Sequence, residues 1–184
     1  MPWGLTRFHQ SGQSHFVTFC CYHRRRLLTT DASRRIFESA LERVRRSFRL
    51  RVYGYAVMPE HVHLLLSKPQ RETLAYALKS LKQGVSRRLI DDAEHFWQKR
   101  YYDFNIRDYP QFVEKLRYIH RNPVKAGLCE RPEDWEWSTF RHYATGFEGR
   151  PVEIESERTA RKRERAAGRL CPEVELPHSS QNRA

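Results

Sequence analysis

Two stretches of helical periodicity, each flanked by strand-like runs, constrain this chain more than any other feature. Phe37, Leu41, Val44 and Phe48 recur at i, i+4, i+7 and i+11. They predict an amphipathic helix over 31–49, with Asp31 as its N-cap. Leu74, Leu78, Leu81, Val85 and Leu89 predict a second helix over 72–90. Before the first helix, residues 15–22 are rich in β-branched and aromatic side chains and read as a strand. Between the helices, 51–57 and 61–67 read as two more strands. The break Met58-Pro59-Glu60 is short enough for a hairpin. A further extended segment lies near 96–107. Phe112, Leu116 and Ile119 then predict a third helix that starts after Pro110. It should end near Asn122, because Pro123 restricts the residue before it. The order β-α-β-β-α-β-α opens with the split βαβ of a ferredoxin-like α+β fold: an antiparallel sheet with two helices on one face, to which the third helix is added at the C-terminal side.

Charge narrows the partner. Across 184 residues, 34 Lys and Arg stand against 22 Asp and Glu, a formal charge of +12. Residues 150–184 hold only two of those excess positive charges, so the binding surface belongs to the body, 1–149. The tail, 150–184, has scattered apolar residues and several prolines, and reads as charged and weakly ordered, with a short helix over 156–167. A hydrophobic fraction of 39% is enough for a core, which excludes a disordered basic protein. A positive body of this size favours a polyanion, with nucleic acid ahead of an anionic membrane surface. No apolar run is long enough for a transmembrane helix, and the opening residues lack the apolar centre of a secretory signal. Cys20, Cys21, Cys129 and Cys171 form no CxxC pair and no disulfide framework, so a reducing cytoplasm is the expected compartment.

The sharpest local signal is His61-Val62-His63. Strand residues i and i+2 share a face, so two imidazoles stand side by side while Val62 and Leu64 anchor the opposite face. Such a pair can ligate a metal, or it can be two ordinary strand histidines. Familiar metal motifs do not fit. A zincin needs His-Glu-x-x-His, but Glu60 precedes both histidines; a zinc deaminase needs His-x-Glu and Pro-Cys-x-x-Cys; a histidine-triad hydrolase needs histidine where Leu65 stands. A structural zinc site would need cysteine pairs that this chain lacks. A second signal is Tyr118 with Asn122, which share a helix face at i and i+4. They could equally be a core tyrosine beside a helix-capping asparagine.

Taken together, Met58-Pro59-Glu60-His61-Val62-His63-Leu64-Leu65 and the later Tyr118-Ile119-His120-Arg121-Asn122-Pro123-Val124-Lys125-Ala126-Gly127-Leu128 resemble the single-tyrosine HUH transposases. The likeness is nearest to the REP-associated tyrosine transposase branch. Trp97-Gln98-Lys99-Arg100-Tyr101-Tyr102-Asp103 and Trp135-Glu136-Trp137-Ser138-Thr139-Phe140-Arg141 resemble that branch as well. The resemblance spans about 12–145 and rests on four blocks in one order. It implies a ferredoxin-like fold, a divalent metal (Mg²⁺ or Mn²⁺) held by His61 and His63, and Tyr118 as nucleophile. Relatives place a polar residue, often glutamine, four after the tyrosine; here it is Asn122, which becomes the third expected ligand.

The implied activity is transposition chemistry: nicking of single-stranded DNA through a 5′-phosphotyrosine, followed by strand transfer at hairpin or palindromic repeats. A free phenol has a pKa of about 10, so negative charge on the attacking oxygen needs support from metal and nearby cations such as Arg121 or Lys125. Phosphate contacts are expected from Arg24, Arg25 and Arg26 after the first strand, from Lys79, Lys82, Arg87 and Arg88 on the second helix, and from Arg100. The arginines of the first helix (Arg34, Arg35, Arg43, Arg45, Arg46 and Arg49) are a second basic run, and either run can be a plain solvated face. Trp97, Tyr101 and Tyr102 are candidate stacking platforms for bases, and Trp97 can equally be a core residue. The rival readings are a non-catalytic DNA-hairpin-binding protein and a replication-initiator-type HUH nickase. The latter often carries a lysine three residues after its tyrosine, where Arg121 stands here. The resemblance further implies a bacterial-type, nucleoid-associated protein whose site is completed within one chain, with homodimer formation left open.

Overall fold

A computed structural model describes residues 14–90 and 95–167. The strands are β1 (Ser14–Cys20), β2 (Val52–Val57), β3 (His61–Ser67) and β4 (Tyr102–Ile106). The helices are α1 (Asp31–Phe48), α2 (Leu74–Leu89), α3 (Tyr109–Lys125), α4 (Phe140–Thr145) and α5 (Glu157–Ala166). The sheet runs in the order β2-β3-β1-β4, with every neighbouring pair antiparallel. This is the split βαβ order, in which the two inner strands β1 and β3 each open a different βαβ unit, β1-α1-β2 and β3-α2-β4.

The period-two alternation sorts each strand between two layers. Val17 and Phe19 of β1, with Val62, Leu64 and Leu66 of β3, face α1 and α2 and meet Phe37, Leu41, Leu78 and Leu81. Phe16 and Leu65 face the other way and meet Phe112 and Ile119 of α3. The first two helices thus cover one face, as the sequence predicts, and α3 covers part of the opposite one. Gly54 lets α3 lie close: a Cβ there would stand 2.6 Å from Leu116 Cδ1.

Several boundaries differ from the sequence reading. Thr30, not Asp31, caps α1, its hydroxyl accepting from the Ser33 amide. Asp108 caps α3, which therefore begins before Pro110. The helix also continues through Pro123 to Lys125. A proline lacks only its own N–H, and the turn is closed around it by Ala126 N–H to Asn122 O and Leu128 N–H to Pro123 O. Only Tyr102–Ile106 of the extended segment is strand; Phe96 and Trp97 turn into the core.

The core also continues past residue 149, where the sequence reading ended the body. Val152 and Ile154 are buried, and Ile154 bridges Val52 in parallel. Short apolar side chains set among charges gave no periodicity to reveal this. Residues 168–184, including Cys171, lie outside the described residues. Cys20, Cys21 and Cys129 are free thiols. Among the described residues, no helix is long and apolar enough to cross a membrane.

Candidate active site

The β1–β3 register sets Thr18 opposite His63 and Cys20 opposite His61. Both histidines lie on the α3 face, beyond the part that α3 covers with apolar side chains. Both are buried. Their Nε2 atoms are 3.0 Å apart and their rings stand nearly edge-on to one another. Each ring is held from behind. Glu60 Oε1 accepts from His61 Nδ1 at 2.8 Å, and Thr18 Oγ1 lies 2.7 Å from His63 Nδ1.

The partners assign the tautomers. A carboxylate at His61 Nδ1 fixes the proton there and leaves a lone pair on Nε2. His63 Nε2–H can donate to that lone pair, with His63 Nδ1 accepting from the Thr18 hydroxyl. Burial, and secondarily the His61 charge, lower the pKa of His63 to about 3. Burial also lowers the pKa of His61, against the opposing charge and hydrogen bond of Glu60. Both rings are therefore neutral near pH 7, the state in which imidazole ligates metals.

Tyr118 projects from α3 over this pair. Its ring centroid is 5.2 Å from that of His63 and 5.7 Å from that of Phe16, and the side chain is 38% exposed. Asn122, one turn on, brings its side-chain amide close enough to both imidazoles to favour their protonated forms against the effect of burial. The expected tyrosine, two histidines and asparagine thus meet at one point in one chain. Among the described residues no three His, Cys, Asp or Glu side chains gather as a metal site. Here the third group is an amide. Two neutral imidazole nitrogens and an amide oxygen form a donor set that fits a divalent cation.

The expected DNA contacts divide. Lys125 Nζ sits 5.8 Å from the Tyr118 ring centroid, and Arg121 falls on the same helical stripe as Tyr118, Asn122 and Lys125. Arg24 is exposed, 3.7 Å from Glu60 Oε1, close enough for its charge to act on both histidines. Arg25, Arg26 and Arg100 are exposed. Lys79, Arg87 and Arg88 are exposed too, but on α2, behind the sheet from Tyr118. Two expectations fail. Trp97 is a core residue, packed edge-on against Phe19 at 4.9 Å with its indole N–H donated to Lys82 O, so it offers no face to a base. Lys82 donates its ammonium to Gln98 O at 2.6 Å and is engaged in the fold. Arg34 and Arg45 of α1 are likewise engaged: Arg34 stacks over Trp135, and Arg45 pairs with Glu42.

Thr18 carries no functional signal in the sequence, and Glu60 stands there only as the residue whose place before both histidines excludes a zincin motif. The residue adjoining a metal-ligand motif is a legible signal for Glu60. Thr18 becomes visible only once the register of β1 on β3 is known.

With this geometry in place, the comparisons with known proteins are informative. A sequence model of the family described as "Transposase IS200 like" matches residues 9–122. A REP-associated tyrosine transposase of Escherichia coli K12 is 28% identical over 144 residues, covering 77% of this chain and 85% of that protein. A Haemophilus influenzae protein carrying the same family description is 28% identical over 142 residues, covering 70% of this chain and 80% of that one. Among solved structures, a REP-associated tyrosine transposase bound to a REP hairpin superimposes with a TM-score of 0.64 at 24% identity, covering 80% of this chain and 96% of that chain. That superposition bears on the fold.

Proposed function

This chain belongs to the IS200-like transposase family, and from that membership we propose that it nicks single-stranded DNA beside a hairpin and transfers the cut strand, with Tyr118 as nucleophile. The observation that carries the reading is the 5.2 Å between the Tyr118 and His63 rings, contributed by residues 55 positions apart on a strand and a helix.

Tyr118 Oη attacks the scissile phosphorus and loses its proton. The new O–P bond replaces the bond to the 3′ oxygen, which leaves as a 3′-OH. The product is a 5′-phosphotyrosine. Phosphodiester energy is kept in that linkage, so a second 3′-OH can displace the tyrosine and join strands without ATP. His61, His63 and Asn122 would hold a divalent cation, Mg²⁺ or Mn²⁺, which when bound would neutralise charge on the phosphate and polarise it. Glu60 and Thr18 hold the two rings in orientation. Lys125, Arg121 and Arg24 offer positive charge to the flanking phosphates. All of these groups come from one chain, which favours a site that works in cis. The hairpin is proposed because the solved relative is bound to one.

The test is incubation of the purified protein with labelled hairpin oligonucleotides carrying single-stranded flanks, in Mg²⁺ or Mn²⁺. The wild type is expected to form a covalent adduct that survives denaturing electrophoresis and vanishes with EDTA. Tyr118→Phe should form none while still shifting the hairpin in a native gel. An adduct with Tyr118→Phe overturns the assignment of the nucleophile.

A further inference from the structure

Tyr102, one of the three aromatic residues whose sequence position suggested base stacking, takes no part in the cleavage step above, yet it lies on the same floor. Across the sheet, His63 pairs with Thr18 and Thr18 pairs with Tyr102. The three side chains therefore share one row on one face, with His63 and Tyr102 about 10 Å apart at the usual strand spacing. Tyr102 stands at the β4 edge and is 54% exposed. Large exposed aromatics are few: among the described residues they are Tyr76, Tyr102, Tyr118 and Phe147. Tyr102 and Tyr118 are joined through Phe16, which stands edge-on to both, at 6.2 and 5.7 Å between centroids. Phe16 is also stacked on His63 at 5.7 Å. Lys115 Nζ lies over the Phe16 ring at 5.5 Å and the Phe104 ring at 4.9 Å, which places a positive charge along this ledge.

We propose that Tyr102 is the stacking platform for an unpaired base flanking the scissile phosphate. Packing does not account for it. Its neighbours on the same face, Phe104 and Ile106, are the ones drawn under α3, whereas Tyr102 stays open beyond the helix. A phosphate seated over the two histidines has bases within reach of the β4 edge. An exposed aromatic face beside a cationic groove is what a single strand uses to park such a base, since every base has a π-face. Tyr102 is thus a positioning residue: it holds the flank so that the phosphate stays in line with Tyr118.

This inference rests on the site being one for single-stranded DNA, and the experiment separates the two. Binding is measured by fluorescence anisotropy in the Tyr118→Phe background, where no adduct forms, with a hairpin whose single-stranded flank is either complete or abasic at one position at a time. Tyr102→Ala is expected to weaken binding of the complete flank on the order of tenfold. Tyr102→Phe should bind like its parent. At one flank position, removing the base should weaken the parent but add nothing to Tyr102→Ala. Thermal melting accompanies each variant, and Tyr102→Phe serves as the folded control. If Tyr102→Ala binds the complete flank as the parent does, or loses the same factor at every abasic position, the platform is overturned. Wild-type adduct formation, measured alongside, reports on the cleavage chemistry independently: an adduct combined with additive losses sinks only the role of Tyr102.

Discussion

Thr18 shows how much one hydroxyl can govern at the residue scale. His61 has a carboxylate behind it, and a carboxylate can only accept, so its tautomer is fixed. His63 has a hydroxyl behind it, which can donate or accept. With the two Nε2 atoms facing each other, Thr18 donates to His63 Nδ1. When His63 Nε2 turns its lone pair to a cation, Nδ1 carries the proton and Thr18 accepts it. Valine fills the same space but supports neither state. Thr18→Val is expected to weaken Mn²⁺ binding, measured by titration calorimetry, by about 10- to 100-fold, and Thr18→Ser to restore it. Equal affinity in wild type and Thr18→Val would show that the hydroxyl plays no part in ligand orientation. The two histidines were legible in the sequence because their spacing of two is a property of any strand. Thr18 was not, since pairing partners depend on register, which no local pattern encodes. Trp97 was ambiguous in the sequence for a related reason. An aromatic side chain next to cations looks the same in sequence whether it faces solvent or, as here, lies against Phe19 and Phe96.

At the scale of elements, the site depends on how closely α3 approaches the sheet. Tyr118 and Asn122 sit on the last turns of α3, while Leu116 and Ile119 on the same helix pack near Gly54 of β2. A branched side chain at residue 54 would meet Leu116 Cδ1 and the Thr139 hydroxyl, the latter 3.3 Å from the position of a Cβ. Leu116 can turn away from one methyl group but not from two, so the helix must move. Gly54→Val is expected to cost about 1–3 kcal/mol in a denaturant titration, the range for overpacking a core. It should also cut adduct formation more than hairpin binding, because the displacement falls between Tyr118 and His63. A variant with wild-type stability and wild-type adduct yield would show that this close approach is not needed. The helices themselves were readable from their apolar period, and the βαββαβ order from their alternation with strands. The passage of α3 through Pro123 was not readable. The rule for residues preceding proline is a preference, and here the packing of Ile119 and Pro123 in the interior outweighs it.

The molecule as a whole carries its buried histidines as an acid-sensitive element. His120 donates or accepts at Thr139 Oγ1, 2.9 Å away, in a network that also ties Tyr55 of β2 to the segment after α3. Burial, then the nearby His142, lower its pKa from 6.5 to about 4. His63 is depressed further, and His61 and His142 in the same direction. For a base held neutral in the folded state, the unfolded chain takes up protons first as pH falls. The stabilisation is fully present above pH 6.5 and is lost between there and the folded-state pKa, about 4 for His120. For His120 alone that loss is about 3 kcal/mol at 1.36 kcal/mol per pH unit. Buried Glu38 works the other way: its pKa is raised by burial, so its contribution favours the fold at low pH, but only around and above the ordinary carboxylate range. Below pH 6.5 four histidines thus act against this one carboxyl, and the expected net response is a loss of stability with acidity. Denaturant titrations in EDTA at pH 7, 6 and 5 should show stability falling steadily with acidity, and His120→Gln, which keeps a partner for Thr139 but cannot take up a proton, should flatten that fall. An unchanged slope in His120→Gln would mean that His120 accepts its proton without unfolding anything, and that the acid response comes from elsewhere in the chain.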